Sequence, residues 1–173
     1  MLKPVKGFEG LYEVSDAGYV QTVEHNITDK AGHQYTIKSR VLKPSKIGRG
    51  YLAVYLRKGG KTYVQYVHRL VAEAFVPNPD NKPIVNHKNG DKLKCEASNL
   101  QWSTYSENNQ HAYDTGLKPR GEGQYKARLT EDQVREIKQN GKYTTYENIA
   151  RKYGVSKATI RDVLLCRTWK TVC

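Results

Sequence analysis

The sequence predicts an α+β chain of small modules set out as an elongated series: a small antiparallel sheet module over residues 1–67, a mixed module over 68–114, a basic linker over 115–128 and a helical module over 129–173. Three observations carry this reading. Residues 7–67 fall into short alternating stretches punctuated by glycine, as an antiparallel meander requires. Helical spacing of apolar residues begins only after residue 67 and comes in short runs. The apolar fraction, 38% of 173 residues, is low for one compact core and suits several small ones.

In the first module, strands are expected near 11–14, 19–23, 34–37, 41–43, 51–57 and 62–67, with Gly59-Gly60 joining the last two as a hairpin. Across 51–57 the period of two sets Leu52, Val54 and Leu56 on a core face and Tyr51, Tyr55 and Arg57 on an aromatic, basic one. The second face suits a DNA groove or phosphates, because β-ribbons enter the major groove. It suits tyrosines pairing across strands equally well, since strand propensity and contact make the same demand on sequence.

In the mixed module Leu70, Val71, Ala74 and Phe75 recur at helical spacing, and Val76-Pro77-Asn78-Pro79 stops the run. His68 and Arg69 at its start suit either packing or contact with a phosphate. Ile84-Val85 leads into the polar run Asn86-His87-Lys88-Asn89-Gly90-Asp91, where Asn89-Gly90 marks a tight turn. Residues 99–104 return as a strand, with Trp102 in the core beside Val85 and Leu100. Thr104 with Glu107 three residues on fits a capping box for a helix over 105–113.

Residues 115–126 are glycine-rich and basic, and Lys118-Pro119-Arg120 offers charge to phosphates. Thr130 with Gln133 caps a helix carrying Val134 and Ile137, and two further helices are expected over 145–153 and 156–166. Between them Gly154 turns the chain and Ser156 caps the second helix, while Val155, Ile160, Val163 and Leu164 supply apolar contacts. These are the elements of a helix-turn-helix. Lys157, Thr159 and Arg161 then fall on or near the outward face of the second helix, where a recognition helix meets base edges or phosphates. A plain helical hairpin would use the same apolar residues.

Charge narrows the partner. The chain carries 29 basic against 17 acidic residues, a net +12, divided as 16 against 11 in residues 1–115 and 13 against 6 in residues 116–173. A surplus spread along the chain suits a protein that follows a duplex. Double-stranded DNA is favoured over RNA because a helix-turn-helix fits a B-form major groove and no RNA-stacking pattern is present. Cys95, Cys166 and Cys173 form no C-x-x-C pair, which argues against a disulfide framework or zinc knuckle and fits a reducing cytoplasm. No stretch approaches a membrane span and no apolar signal segment opens the chain, so a soluble monomer with no membrane or protein partner is expected.

Phosphodiester hydrolysis needs an activated water, a base to take its proton and charge stabilisation at the phosphate. Residues around Asn86-His87 offer those parts. The run Val85-Asn86-His87-Lys88-Asn89-Gly90-Asp91, then Ser98-Asn99-Leu100-Gln101-Trp102-Ser103-Thr104, then Glu107-Asn108-Asn109-Gln110-His111-Ala112 resembles the HNH motif of bacteriophage and intron-encoded homing endonucleases. Gly7-Phe8-Glu9-Gly10-Leu11-Tyr12-Glu13-Val14-Ser15 and Val67-His68-Arg69-Leu70-Val71-Ala72-Glu73-Ala74-Phe75 resemble the nuclease-associated module that precedes such domains. With the helix-turn-helix, the resemblance covers nearly the whole chain.

The resemblance implies a ββα-metal fold for the mixed module, with strands near 84–87 and 100–103 and the helix near 105–113. It implies a site-specific DNA endonuclease using one divalent ion, Mg²⁺ or Mn²⁺, in the cytoplasm of a bacterial host cell. A single motif supplies one active site, so a monomer is expected to nick one strand per binding event. His87 would be the general base and Asn99 would hold its imidazole; Asn86 and Asn108 would ligate the metal, with His111 in reserve. Arg69 joins the expected DNA-binding set. One departure stands out: the position of Asn86 is often aspartate in this family, and a neutral amide binds a hard cation more weakly. The competing reading is therefore a sequence-specific DNA-binding regulator whose HNH module has lost its chemistry.

Overall fold

The computed structural model describes residues 1–29, 31–141 and 143–172. Eleven strands and five α-helices lie among them, in two compact units, Met1–Thr115 and Gly116–Cys173. Cys173 lies outside the described residues.

The first unit begins with a four-stranded antiparallel sheet in the order β1 (Leu2–Pro4), β2 (Tyr12–Ser15), β3 (Val20–Thr22), β6 (Arg40–Val41). Between β3 and β6 the chain makes a separate ribbon of β4 (His25–Thr28) and β5 (Gln34–Ile37). A three-stranded sheet follows, β7 (Ser45–Ile47), β8 (Tyr51–Lys58) and β9 (Lys61–Tyr66), with β8 central. Helix α1 (Val67–Phe75) packs on β2, β8 and β9, and on the hairpin of β10 (Ile84–His87) and β11 (Leu100–Ser103). Helix α2 (Tyr105–Asp114) closes the unit.

The expected strands near 11–14, 19–23, 34–37, 51–57 and 62–67 are present within a residue or two, and β6 takes up part of the stretch expected at 41–43. The alternation read in β8 holds for Leu56 and Val54, both buried, and for the exposed Tyr55 and Arg57. Ala53 departs from it: it is fully buried on the nominally outward face, paired with Ser45 of β7 and Tyr66 of β9. Strands β1, β4 and β7 were not expected. Each is three or four residues long with no buried residue, so pairing with a neighbour rather than burial defines it.

Residues from the sheet segment and from the mixed segment share one core: Val5, Val14, Val54 and Leu56 sit in the same cluster as Leu70, Val71, Val85 and Leu100. Gly18 makes one close approach possible. It has φ +87°, and a Cβ there would stand 2.9 Å from the backbone carbon of Cys95, so neither a side chain nor right-handed backbone fits.

The second unit is helical. α3 (Glu131–Asn140), α4 (Tyr146–Tyr153) and α5 (Lys157–Leu164) enclose Leu129, Val134, Ile137, Ile149, Ala150, Ile160 and Val163. Each helix is capped as its sequence requires: Thr130 and Gln133 form a capping box, Thr145 accepts from the Asn148 amide, and Ser156 accepts from the Thr159 amide. Gly154 ends α4 in the left-handed region, φ 63°, and turns the chain into α5. This is the expected helix-turn-helix connection.

Candidate active site

Strand β10 carries Asn86 and His87 into the protein instead of leaving them on its surface; they are 8% and 4% exposed. Two devices hold this end of the hairpin. His87 pairs with Leu100 across the ladder, and the chain then turns, the Gly90 amide donating to the His87 carbonyl at 2.9 Å with Gly90 at φ 75°.

Asn99 secures the turn. Its Nδ2 donates to Asn89 Oδ1 at 3.0 Å and to the Lys94 carbonyl at 2.8 Å, its Oδ1 accepts from the Asn89 amide at 3.2 Å, and its carbonyl accepts from the Lys88 amide at 2.8 Å. The Asn99 side chain thus grips the loop after His87; it makes no hydrogen bond to the imidazole among the described residues.

Helix α2 is placed against both hairpin strands from its first turn. Thr104 and Glu107 form the capping box, Lys82 reaches Glu107 at 2.8 Å, and the Trp102 indole donates to the Val76 carbonyl at 3.0 Å. That Lys82 contact holds the Glu107 carboxyl below its ordinary pKa. At the far end His111 Nε2 meets the Lys88 carbonyl at 2.9 Å. A carbonyl only accepts, so that nitrogen carries the proton and is not free to ligate a metal while the bond stands. The same bond identifies the face of α2 turned toward the end of β10. Asn108, one turn earlier, shares that face, half-buried and with no side-chain bond among the described residues.

His87 is enclosed by aromatic rings from distant segments. The His68 ring at the start of α1 lies 5.2 Å away and Tyr51 of β8 lies 6.1 Å away; Tyr51 also meets His68 at 5.0 Å and Tyr66 at 6.0 Å. Lys92 stands 4.9 Å over the Tyr51 ring. Burial lowers the His87 pKa despite the opposing pull of Asp91, with Lys92 adding to the lowering. Burial, then the neighbouring His87 and Arg69, push His68 down to about 4. Both imidazoles are therefore neutral at neutral pH. Cys95, behind the site, is a packed thiol raised to about 11 by burial and no nucleophile.

Four buried polar atoms have no partner among the described residues: His87 Nε2, His68 Nδ1, Asn86 Nδ2 and Ser103 Oγ. His87 Nδ1 also makes no hydrogen bond there, yet it is not sealed from solvent, which leaves it the nitrogen open to a water. The orphaned Asn86 Nδ2 is a donor and needs an acceptor, which a cation does not supply; the Asn86 oxygen, a separate acceptor, also makes no hydrogen bond among the described residues. Amide oxygens from Asn86 and Asn108 are hard donors that suit a divalent cation such as Mg²⁺ or Mn²⁺. The donor set is lean, because no group of three or more His, Cys, Asp or Glu side chains is arranged to hold a metal among the described residues. It fits an ion whose other ligands come from substrate and water.

The expected DNA-binding residues take varied positions. Tyr55 and Arg57 are exposed on β8, whereas Tyr51 is half-buried over the histidines. The Arg69 guanidinium donates to the Pro83 carbonyl at 2.8 Å. In the second unit Lys118 and Arg120 precede α3, Lys157 is paired with Glu147 at 2.8 Å, and Arg161 with Asp162 at 3.3 Å. The Thr159 hydroxyl shares a hydrogen bond with Ser156 at 2.9 Å. The ring cluster of Tyr51, Tyr66 and His68 around His87 is not among the sequence expectations, which give His68 only packing or phosphate contact. The available signal was a histidine at the point where a tyrosine-rich strand becomes an apolar helix. Among the described residues no helix is long and apolar enough to cross a membrane.

Comparison with known proteins agrees with this architecture. Residues 3–57 match the NUMOD4 motif and residues 65–110 match the HNH endonuclease family. An uncharacterized HNH endonuclease of Acanthamoeba polyphaga mimivirus is 45% identical over 117 residues, covering 66% of this chain and 26% of that protein. A second from the same virus is 37% identical over 107 residues, and the chain spans 28% of its length. The DNA endonuclease I-HmuI of Bacillus phage SP01 is 30% identical over 166 residues, which is 94% of this chain and 88% of the phage protein. In the solved structure concerning DNA binding and cleavage by the HNH homing endonuclease I-HmuI, the match has a TM-score of 0.56 at 25% identity and covers 95% of this chain and 90% of that one. With the Asn86-His87 hairpin, the α2 face bearing Asn108 and a match to a phage relative over nearly its full length, the chain belongs to the HNH endonuclease family.

Proposed function

We propose that the chain is a homing-type, site-specific DNA endonuclease that hydrolyses phosphodiester bonds with one divalent ion, Mg²⁺ or Mn²⁺, and that it nicks one strand as a monomer. The observation that carries the reading is His87: a neutral, buried imidazole whose Nδ1 makes no hydrogen bond among the described residues, on the same strand as Asn86 and with Asn108 on the α2 face turned toward the end of that strand. His87 Nδ1 takes the proton of a water as its oxygen attacks phosphorus and the bond from phosphorus to the 3′ oxygen breaks. Asn86 and Asn108 would hold such an ion through their amide oxygens. When bound, such an ion supplies charge stabilisation at the phosphate and the departing 3′ oxygen. Asn99 acts one step removed, fixing the turn that ends the His87 strand.

Double-stranded DNA is the proposed substrate, held through phosphate contacts and groove contacts at both ends of the chain. Tyr55, Arg57 and Arg69 in the first unit, and Lys118, Arg120, Lys157, Thr159 and Arg161 in the second, are the proposed contacts; Tyr51 serves the pocket around His87. Residues 1–67, 68–114 and 129–173 are proposed as successive functional modules joined by the basic stretch 115–128. Incubating the protein and His87→Ala with supercoiled and linear DNA, in Mg²⁺, Mn²⁺ or EDTA, tests this. Discrete metal-dependent products lost in the variant are expected.

A second reading has one observation in its favour. The amide of Asn86 stands where a carboxylate would bind the ion more strongly, and no acidic cluster compensates among the described residues. Tight binding to specific DNA with no cleavage in any metal would make the protein a DNA-binding regulator.

A further inference from the structure

A general base must be held in the right tautomer as well as the right place. For His87 Nδ1 to accept a proton from water, its one ring proton must sit on Nε2. That nitrogen is sealed from solvent with no partner among the described residues. Asn99, the side chain expected to orient the ring, bonds Asn89 and Lys94 instead and makes no hydrogen bond to the imidazole among the described residues. A buried N–H with no acceptor is destabilising, and an imidazole without a fixed partner is free to carry its proton on either nitrogen.

One ring in contact with His87 has a complementary need. His68 is 7% exposed, its ring centre is 5.2 Å from that of His87, and its Nδ1 is likewise sealed with no partner among the described residues. In neutral imidazole one nitrogen donates and the other accepts, so a donor on His87 Nε2 and an acceptor on His68 Nδ1 satisfy both atoms at once. We propose that His68 is the positioning residue for His87, its Nδ1 accepting the His87 Nε2 proton through one bridging buried water and so leaving the His87 Nδ1 lone pair for the attacking water.

Two further features agree. Burial and adjacent positive charge keep His68 neutral down to about pH 4, so it remains an acceptor throughout the range in which His87 acts as a base. Tyr51 lies against both rings, at 5.0 Å from His68 and 6.1 Å from His87, and restricts their tilt. A buried polar pair of this kind has to be fully satisfied to be tolerated. The pairing rests on the reading of His87 as the general base for its catalytic meaning, but the tautomer does not.

The test is therefore spectroscopic first. In full-length protein carrying ¹⁵N-labelled histidine, two-bond ¹H–¹⁵N correlation at neutral pH, assigned with His87→Gln and His68→Phe, reports which nitrogen of each ring is protonated. The expected result is His87 in the Nε2–H form and His68 with an unprotonated Nδ1. Finding His87 in the Nδ1–H form in the wild type overturns the proposal without reference to any variant.

His68→Phe keeps the ring packing and removes the acceptor. It is expected to convert His87 to a mixture of tautomers and to lower single-turnover cleavage about tenfold or more with DNA affinity unchanged. His68→Gln, which restores an acceptor oxygen, is expected to recover part of the rate. An unchanged His87 tautomer in a folded His68→Phe overturns the proposal. Cleavage that persists in His87→Ala sinks the base assignment instead, and leaves the tautomer result to decide the pairing alone.

Discussion

On the proposed reading of Asn86 as a metal ligand, its amide sets how strongly the site depends on metal concentration. Its amide is 8% exposed and makes no hydrogen bond among the described residues, so Asn86→Asp places a carboxylate where only an ion compensates it. The variant is expected to melt at lower temperature than wild type in EDTA, to regain that loss in Mg²⁺, and to reach half-maximal cleavage at a lower Mg²⁺ concentration. Thermal melts and a metal titration of cleavage check both halves; equal metal demand in the two proteins would mean Asn86 does not touch the ion. His68 makes a second prediction at this scale. Its pKa is about 4 folded against about 6.5 in an unfolded chain, so the unfolded state binds the proton first as pH falls. The stabilisation from keeping His68 neutral is full above pH 6.5 and lost progressively toward pH 4, a difference of at most about 3 kcal/mol. Melts of wild type and His68→Phe across that window should show the wild type losing more stability to acid than the variant, and parallel curves would contradict the burial of a neutral imidazole.

Among the elements, the hairpin of β10 and β11 and the turn between them hold Asn86 and His87 in place, and Asn99 is their fastener. Asn99→Ala removes three hydrogen bonds from a half-buried side chain and is expected to cost roughly 1–3 kcal/mol. Because those bonds grip the loop and not the imidazole, the variant should lose cleavage in step with disorder of the turn. Hydrogen exchange of the Asn89 and Gly90 amides reads that directly; a rate loss with both amides still protected would restore a direct role on His87. The same elements show what sequence could and could not reveal. β10, β11, the capping box of α2 and the Gly154-Val155-Ser156 turn were legible because period, cap and turn chemistry are local. β1, β4 and β7 were not, since a short exposed strand is defined by its partner. Nor was the meeting of Tyr51, Tyr66, His68 and His87 legible, because contacts between segments that far apart leave no spacing to read. Asn99 was found by motif, while its actual grip on Asn89 and Lys94 became visible only in three dimensions.

For the whole molecule, the surplus of basic residues sets how binding responds to salt. The net charge of +12 is shared by both units, +5 from 16 basic against 11 acidic residues before residue 116 and +7 from 13 against 6 after it. Affinity for any duplex should therefore fall steeply as salt rises, each neutralised phosphate adding about 0.9 to the slope of log K against log salt. Lys157 and Arg161 separate the two kinds of contact that such a chain makes. In the free protein each is paired with a carboxylate, Glu147 and Asp162, and surface pairs of this type are weak enough to be exchanged for a phosphate or a base edge. If Lys157 meets a phosphate, Lys157→Ala weakens specific and non-specific duplexes alike and flattens the salt slope by about 0.9. If Arg161 reads a base, Arg161→Ala narrows the gap between specific and non-specific affinity by roughly 1–3 kcal/mol. Fluorescence-anisotropy titrations of both variants from low to moderate salt measure slope and gap together. A Lys157→Ala slope equal to that of wild type would mean that Lys157 keeps its bond to Glu147 on DNA, and the phosphate contacts of the second unit would then have to come from other basic residues.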